Sequence, residues 1–287
     1  LNGMALVSLC LLASKTMTMS QTEMEHAISD YLTLFRTLPF SDTMSIPEYN
    51  ASELITNTLS LKRLQTETDQ FGTLISPQLD NAVALTYYRN NIIHLFALPS
   101  LITALVFAKN GCEKSFILTT VKTIYPLLHK ELFIYFTVDE ALTYADECIS
   151  QLKAQGLLVQ SGRKIMPPAS TDASFHSAWL LARVMQDTWQ RYAIVLTVLT
   201  KNAGVSRGEL ERESRIIAER LSSLYGVSSP EFSDKNVFAT LVNGLRENAL
   251  LTSDDSGALH LNDNSTAFHD LVNQIVWPEI VQHLQKI

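Results

Sequence analysis

The chain has 287 residues, 46% of them hydrophobic and 18% charged, with a formal net charge of −7. That length suits about two domains of roughly 100 to 200 residues each, and the apolar content excludes a disordered chain because it can fill buried cores. The negative balance also argues against a nucleic-acid-binding protein, which needs clustered basic charge.

Three cysteines, Cys10, Cys112 and Cys148, lie far apart and form no Cys-x-x-Cys pair. An odd number of widely spaced cysteines is typical of free thiols in a reducing compartment. The sequence therefore predicts a cytoplasmic setting.

The first predicted element is the apolar segment Met4–Ser14, which has no charged leader and resembles a helix taken from a longer chain. It falls short of the roughly 20 residues that span a bilayer, so we interpret it as a core or interface helix. The next helix begins at Ser20 with a capping box to Glu23 and ends at Pro39. Its apolar residues follow helical spacing: Met24, Ala27, Ile28, Tyr31, Leu32, Phe35 and Leu38.

Similar helix starts are indicated by the pairs Asn50/Glu53, Thr137/Glu140 and Ser206/Glu209. Apolar periodicity predicts further helices at 79–97, 101–109, 114–134, 138–155, 173–200, 207–225, 235–248 and 267–285. Linkers are expected at 39–50, at 166–171 and around 228–231, where proline, serine and other turn-forming residues cluster.

Short hairpins are predicted after three helices, at 61–66 with 71–75, at 157–160 with 163–166, and at 250–252 with 258–261. The fold class is therefore mainly α, a multi-helix region with a few short β-hairpins. Matching Ile149–Leu158 with Leu241–Leu251 favours repeated winged-helix-like units. We divide the chain into a helical segment at 1–110, a winged-helix-like unit at 111–170, and a helical unit with a second such hairpin at 171–287.

The segment from Ile92 to Ala108 is the nearest approach to a membrane span, although His94 and Pro99 interrupt it. We interpret it as two packed helices. A segment that dips into a membrane interface is the alternative.

The sequence contains no nucleophile elbow, phosphate loop, dinucleotide-binding glycine turn or zinc-binding helix. It therefore predicts no catalytic, cofactor-binding or metal-binding residue. His26 and Asp30 lie one helical turn apart, which is typical of an incidental surface pair. The last predicted hairpin, which would form the wing of a winged-helix-like unit, carries Asp254 and Asp255. Phosphates would repel these charges, so DNA binding is not expected.

The densest polar cluster is Tyr87–His94, within a predicted helix. At helical spacing Tyr87, Asn90, Asn91 and His94 share a face, which indicates either a buried polar network or a contact surface towards another domain. The candidate residues are Tyr87, Arg89, Asn90, Asn91 and His94.

The segment Leu85–Leu101 closely resembles the C-terminal part of bacterial membrane-associated glycerol-3-phosphate 1-O-acyltransferases. The similarity extends over about residues 3 to 248. It continues in Ala51–Ile55, Leu127–Phe133, Gln190–Ile194, Arg207–Arg215 and Pro230–Lys235.

This resemblance implies a parent enzyme that transfers an acyl group from acyl-CoA or acyl-carrier protein to glycerol 3-phosphate, the first step of phospholipid synthesis. Catalysis in that family uses a His followed five residues later by Asp, and a Glu-Gly-x-Arg motif holds the phosphate. Neither motif occurs in this sequence. No catalytic residue can therefore be carried over.

The leading hypothesis is a non-catalytic C-terminal region that supports or regulates an upstream catalytic domain of the same polypeptide. The resemblance also implies a membrane surface as partner, at the cytoplasmic face of the bacterial inner membrane, with no cofactor and no nucleic acid. The alternative is a free-standing winged-helix-like module that binds a protein partner and has no enzymatic activity.

Overall fold

The protein, described by a computed structural model over residues 1–78, 81–227 and 229–287, is mainly α-helical, as the sequence predicts. Its α-helices are α1 Gly3–Ala13, α2 Gln21–Thr37, α3 Ala51–Leu59, α4 Ala82–Asn90, α5 Ile93–Ala108, α6 Lys114–Leu132, α7 Val138–Ala154, α8 Phe175–Arg183, α9 Gln186–Lys201, α10 Arg207–Tyr225, α11 Lys235–Glu247, α12 Asp263–Ile275 and α13 Pro278–Lys286. The strands are β1 Met19–Ser20, β2 Leu64–Asp69, β3 Gly72–Pro77, β4 Cys112–Glu113, β5 Val159–Ser161, β6 Lys164–Met166, β7 Val205–Ser206, β8 Leu251–Ser253 and β9 Ala258–Leu261. A short 3₁₀ helix, Pro230–Ser233, precedes α11.

The same succession of secondary-structure elements occurs three times in the described residues. Each time it runs helix, strand, helix, helix, strand, strand. We call these repeats A (α1 to β3), B (α5 to β6) and C (α9 to β9). In each repeat the short first strand joins the hairpin at its last strand, giving the orders β1-β3-β2, β4-β6-β5 and β7-β9-β8. This is the topology of a winged helix, so all three predicted hairpins are confirmed and belong to repeats of one kind.

The first strand of each repeat is two residues long and contributes one buried side chain to its sheet. Met19 pairs with Ile75, Cys112 with Ile165, and Val205 with Leu259. All six of these side chains are buried. These strands are only two residues long, and the sequence alone did not predict them.

The predicted capping boxes fall at equivalent places in the repeats. Ser20 and Ser206 cap the helix that follows the first strand of repeats A and C. Asn50 and Thr137 cap the helix before the wing in repeats A and B, each with the reciprocal glutamate contact. The polar caps therefore mark where each helix leaves a strand or loop.

The structure differs from the predicted helix boundaries at four places. The helix expected across 79–97 ends at Asn90, and α5 continues through Pro99, so the expected break at the proline does not occur. Burial of nearly every α5 side chain outweighs the lost backbone hydrogen bond. The helices expected at 173–200 and 267–285 are each two helices, the second divided by Pro278 at the first position of α13.

The helix–loop boundary predicted at residue 79 and the linker predicted from Ser228 fall partly outside the described residues.

The chain folds into two compact units, each with its own buried core. Unit 1 comprises Leu1–Thr123 and Phe136–Met185, and unit 2 comprises Ile124–Tyr135 and Gln186–Ile287. The three-part division expected from the sequence remains a prediction.

Unit 1 is built around α5, which packs against α8 and α7. The ring of Phe96 lies 5.4 Å from that of Tyr31 and 4.9 Å from that of Phe35, both in edge-to-face geometry. The Tyr31 hydroxyl donates a 3.0 Å hydrogen bond to the Ser177 carbonyl. Aromatic packing and this bond fix α2 against α5 and α8.

Unit 2 is built around α9, which packs against α10, α12 and α13. The Tyr192 and Phe268 rings meet edge to face at 5.8 Å, and Trp189 is fully buried. Gln186 Nε2 donates to the Ile275 carbonyl at 2.7 Å and fixes the end of α12.

Among the helices of the described ranges, none is by itself long and apolar enough to cross a membrane. The consecutive helices α4 and α5, bent by 88°, meet the length and composition criteria as a pair.

Candidate functional site

The predicted polar cluster at Tyr87–His94 is divided by the bend between α4 and α5. Tyr87 is 72% exposed, and Asn90 and Asn91 are exposed, whereas Arg89 is 4% exposed. Arg89 Nε donates to Asn90 Oδ1 at 3.2 Å, and Asn91 Nδ2 donates to the Tyr87 carbonyl at 3.2 Å. The structure therefore joins Arg89 to Asn90 and Asn91 to Tyr87, but Tyr87, Asn90, Asn91 and His94 do not share the single helical face that was expected.

His94 lies beyond the bend, at the start of α5. Its ring meets the Phe40 ring edge to face at 5.7 Å. Partial burial lowers the His94 pKa, because the charged imidazolium is poorly solvated there. The neutral form of His94 is therefore favoured, and a role for this segment in domain contact stays a prediction.

A second polar site, which the sequence did not indicate, lies inside unit 2. Arg191 on α9 donates from Nη2 to Glu131 Oε1 at 2.7 Å, near the end of α6. The two side chains are only 6% and 11% exposed. Thr188, one turn before Arg191, also lies within hydrogen-bond distance of both partners.

Burial and neighbouring carboxylates change the pKa values of Arg191 and Tyr192. Burial alone lowers the Arg191 pKa, but the Glu131 carboxylate raises it, and Asp187 and Glu231 act in the same direction. Burial also raises the Tyr192 pKa well above its ordinary value, and Glu131 adds to that effect. The arginine is therefore held charged and the tyrosine neutral, which suits a structural ion pair and not a proton-transfer site.

Two of the segments that carry the family resemblance meet at this pair. Glu131 belongs to Leu127–Phe133 and Arg191 to Gln190–Ile194. An available signal was the position of Arg191 directly before the apolar run Tyr192–Leu196 on α9. The partner was not predictable, because the two residues are 60 positions apart.

The wing of repeat C carries a second local network. Asp254 Oδ1 accepts hydrogen bonds from the Ser256 hydroxyl at 2.6 Å and from the backbone N–H of Ser256 and Ala258. His260 Nε2 lies 3.0 Å from Asp254 Oδ2. These contacts, led by the Ser256 side chain, hold the Asp254 pKa well below its ordinary range. They shape the turn of the wing.

The cysteines offer no reactive thiolate. Cys10 and Cys148 are fully buried, and burial raises the pKa of both thiols far above the ordinary value. Burial also raises the Cys112 pKa to about 11, so all three thiols stay protonated at neutral pH. Within the described residues, no group of three or more His, Cys, Asp or Glu side chains is placed to hold a metal ion.

Comparison with known proteins shows which family this sequence matches. The family model described as "Glycerol-3-phosphate acyltransferase C-terminal region" matches residues 1–254. A protein of Alteromonas mediterranea named glycerol-3-phosphate acyltransferase is 51% identical over 287 residues, and one of Pseudoalteromonas atlantica with the same name is 48% identical over 286. A protein of Shewanella halifaxensis with the same name is 38% identical over 251 residues.

The coverage of these matches is unequal. The first two cover 100% of this chain, and the third covers 88%. The same matches cover only 35%, 35% and 30% of the relatives' own lengths. The chain thus spans about a third of the relatives that it matches.

Proposed function

We propose, from the premise that this chain belongs to the family of glycerol-3-phosphate acyltransferase C-terminal regions, that it is the non-catalytic part of such an enzyme. In this proposal the parent enzyme transfers an acyl group from acyl-CoA or acyl-carrier protein to glycerol 3-phosphate. The three winged-helix repeats support or regulate the catalytic domain in the remainder of the same polypeptide.

The observation that carries the proposal is the contrast between family membership and site chemistry. The buried Arg191 side chain and its partner Glu131 are engaged with each other. The buried thiols are held protonated, and the sequence lacks the His-to-Asp motif of the family. A positioned general base contributes roughly 10²- to 10⁴-fold to such a reaction, so the isolated region is proposed to be inactive.

The charges on α3 and α7, the helices that precede the wings of repeats A and B, favour a protein partner over nucleic acid. In DNA-binding winged helices this helix enters the major groove. Here α3 carries Glu53 and no basic residue, and α7 carries Asp139, Glu140, Asp146 and Glu147 against Lys153. Phosphates would be repelled by both surfaces.

We also propose that the parent enzyme works at the cytoplasmic face of the bacterial inner membrane. The protonated, unpaired thiols are compatible with a reducing compartment. Fractionation of cells that produce the intact protein tests this, and its recovery wholly in the soluble fraction would contradict it.

Removal of this region from the intact acyltransferase tests the supporting role. We expect lower acyl transfer and a lower thermal midpoint for the remaining part, because it loses a packed neighbour. An Asn57→Ala variant of the intact protein, changed at an exposed position of α3, is the control and should match the parent. A truncated enzyme with unchanged activity and thermal midpoint would overturn the proposal.

A further inference from the structure

The wing of repeat A, residues Leu64–Pro77, differs from the other two wings in length and in its tip, and we call it wing A. Its strands β2 and β3 have six residues each, whereas β5, β6 and β8 have three and β9 has four. The tips of the other wings, at 162–163 and 254–257, consist of glycine and polar residues. Wing A instead turns at Gln70 and Phe71, and the Phe71 side chain is 88% exposed. The longest wing therefore carries an aromatic ring at its tip.

Local contacts hold this tip in one conformation. Asp69 Oδ1 accepts a 2.7 Å hydrogen bond from the backbone N–H of Phe71. Gly72 has a φ of +133°, which side-chain-bearing residues rarely adopt, and it lets β3 begin directly after the turn. The hydroxyls of Thr68 and Thr73 lie 3.0 Å apart across the two strands. Because the backbone beside Phe71 is already ordered, a partner that binds its ring has little chain to immobilise.

The outer edge of β2 is a second binding feature of wing A. Among the described strands, the order β1-β3-β2 places β2 at the edge of its sheet, and residues 65–69 are all exposed. Alternate N–H and C=O groups of an edge strand point away from its neighbour, where an extended segment can pair with them. Leu74, which is 42% exposed, lies opposite Glu67 in the register of the two strands. Wing A thus offers apolar side chains beside an open strand edge.

The charges of wing A argue against several kinds of partner. Its sequence contains Glu67 and Asp69 and no lysine or arginine. Anionic lipid and nucleic acid would therefore be repelled. Pairing of the β2 edges of two copies would bring their carboxylates together, which is also unfavourable. A different protein surface, with an apolar pocket and a basic rim, fits these features.

The matches to two relatives cover 35% of the relatives' lengths, so most of each relative lies outside the matched part. We propose, on the basis of the function proposed above, that wing A docks on the catalytic part of the same polypeptide. Phe71 enters an apolar pocket of that part, and the outer edge of β2 pairs with one of its extended segments. Basic groups of the catalytic part then lie close to Glu67 and Asp69.

Photocrosslinking within the intact acyltransferase tests this docking. A photoreactive aromatic residue, p-benzoylphenylalanine, replaces Phe71, and mass spectrometry of the peptides identifies what it captures. We expect capture of the catalytic part, with a yield at least about tenfold higher than for the same residue in place of Asp255, at the exposed tip of the repeat C wing. The proposal is overturned if position 71 captures only this region, a second copy or lipid, or captures nothing above the yield at position 255.

A substitution at the tip gives a second readout in the intact enzyme. Phe71→Ser removes the ring, and we expect amide exchange of residues 65–69 to rise at least about tenfold, since the covered edge opens more often. Gln70→Ser, in the same turn, is the matched control and should change exchange by less than about twofold. Equal exchange in the Phe71→Ser variant and the parent would contradict docking through this ring.

The docking and the supporting role can fail separately. If position 71 captures the catalytic part but removal of this region leaves acyl transfer and the thermal midpoint unchanged, the docking stands and the supporting role is wrong. If removal lowers both but position 71 captures nothing, the docking alone is wrong.

Discussion

Arg191 and Glu131 show how much can depend on one buried contact. Each charge is stabilised in the interior mainly by the other, which lies 2.7 Å away. Replacing Arg191 alone leaves the Glu131 carboxylate without its cation, in a position where water cannot easily replace it. The pair is therefore a sensitive point of unit 2.

We predict that Arg191→Met lowers the free energy of unfolding by about 3–5 kcal/mol, the usual result of breaking a buried ion pair. The double variant Arg191→Met with Glu131→Met should recover most of this loss, because no unpaired charge remains. Urea denaturation of the three proteins measures it. A single variant as stable as the parent would show that the pair has no structural role.

Asp254 gives a prediction about pH. Because its folded-state pKa lies below the ordinary value of 3.8, the ionised carboxylate stabilises the wing of repeat C. That contribution is fully present above the ordinary pKa and is lost as the pH falls through the lower folded-state pKa. The amides of Ser256 and Ala258, which bond to Asp254, report it directly.

We expect Asp254→Asn to weaken protection of these two amides at pH 6, and the difference from the parent to shrink at pH values below 3.8. Amide exchange followed by NMR across this range is the measurement. If the difference between the proteins is the same at all pH values, ionisation of Asp254 is not its source.

Among the secondary-structure elements, the helix starts were predicted well from the polar residues that cap them. Asn50 Oδ1 accepts a 2.9 Å hydrogen bond from the backbone N–H of Glu53. Glu53 Oε2 accepts one of 2.9 Å from the backbone N–H of Asn50. Both contacts join residues three positions apart, so sequence alone could specify them. Hairpins were predictable for the same reason, since their turns are local.

Replacing Asn50 by Ala should cost about 1 kcal/mol of stability, because the first turn of α3 loses its cap. Asn57→Ala, at an exposed interior position of the same helix, is the control and should be neutral or slightly stabilising. Thermal unfolding distinguishes them. Equal effects of the two substitutions would contradict a capping role for Asn50.

Elements that depend on distant contacts were not predictable. Pro99 was expected to end a helix, but the surroundings of α5 bury it on nearly every side and hold the helix together. The strands β1, β4 and β7 exist only because each pairs with a hairpin more than fifty residues later. The Glu131–Arg191 pair also depends on a contact between distant positions, so it could not be predicted from the sequence.

At the scale of the whole molecule, three winged-helix repeats account for most of the chain, and α4, α8, α12 and α13 lie outside them. The sequence indicated the repeated hairpins, but the complete repeat appears only when the first helix and first strand are included. The polar cluster at Tyr87–His94 begins on α4, between repeats A and B, and ends at the start of α5, in repeat B. Its proposed role in domain contact is testable in the intact enzyme.

Arg89 is the buried member of that cluster, at 4% exposure. We expect Arg89→Ala to lower the activity or the thermal midpoint of the intact acyltransferase, whereas Tyr87→Ala, at an exposed position, tests contact with another domain. Activity and thermal midpoint are measured together for both variants. Unchanged values for Arg89→Ala would argue against any structural role for this segment.

We propose that this region is part of a glycerol-3-phosphate acyltransferase and does not perform the acyl transfer itself. The most direct measurement is the transfer of labelled acyl groups from acyl-CoA to glycerol 3-phosphate by the purified 287-residue chain, beside the intact enzyme. We expect turnover by the intact enzyme and only background for the isolated chain. Sustained turnover by the isolated chain would contradict it.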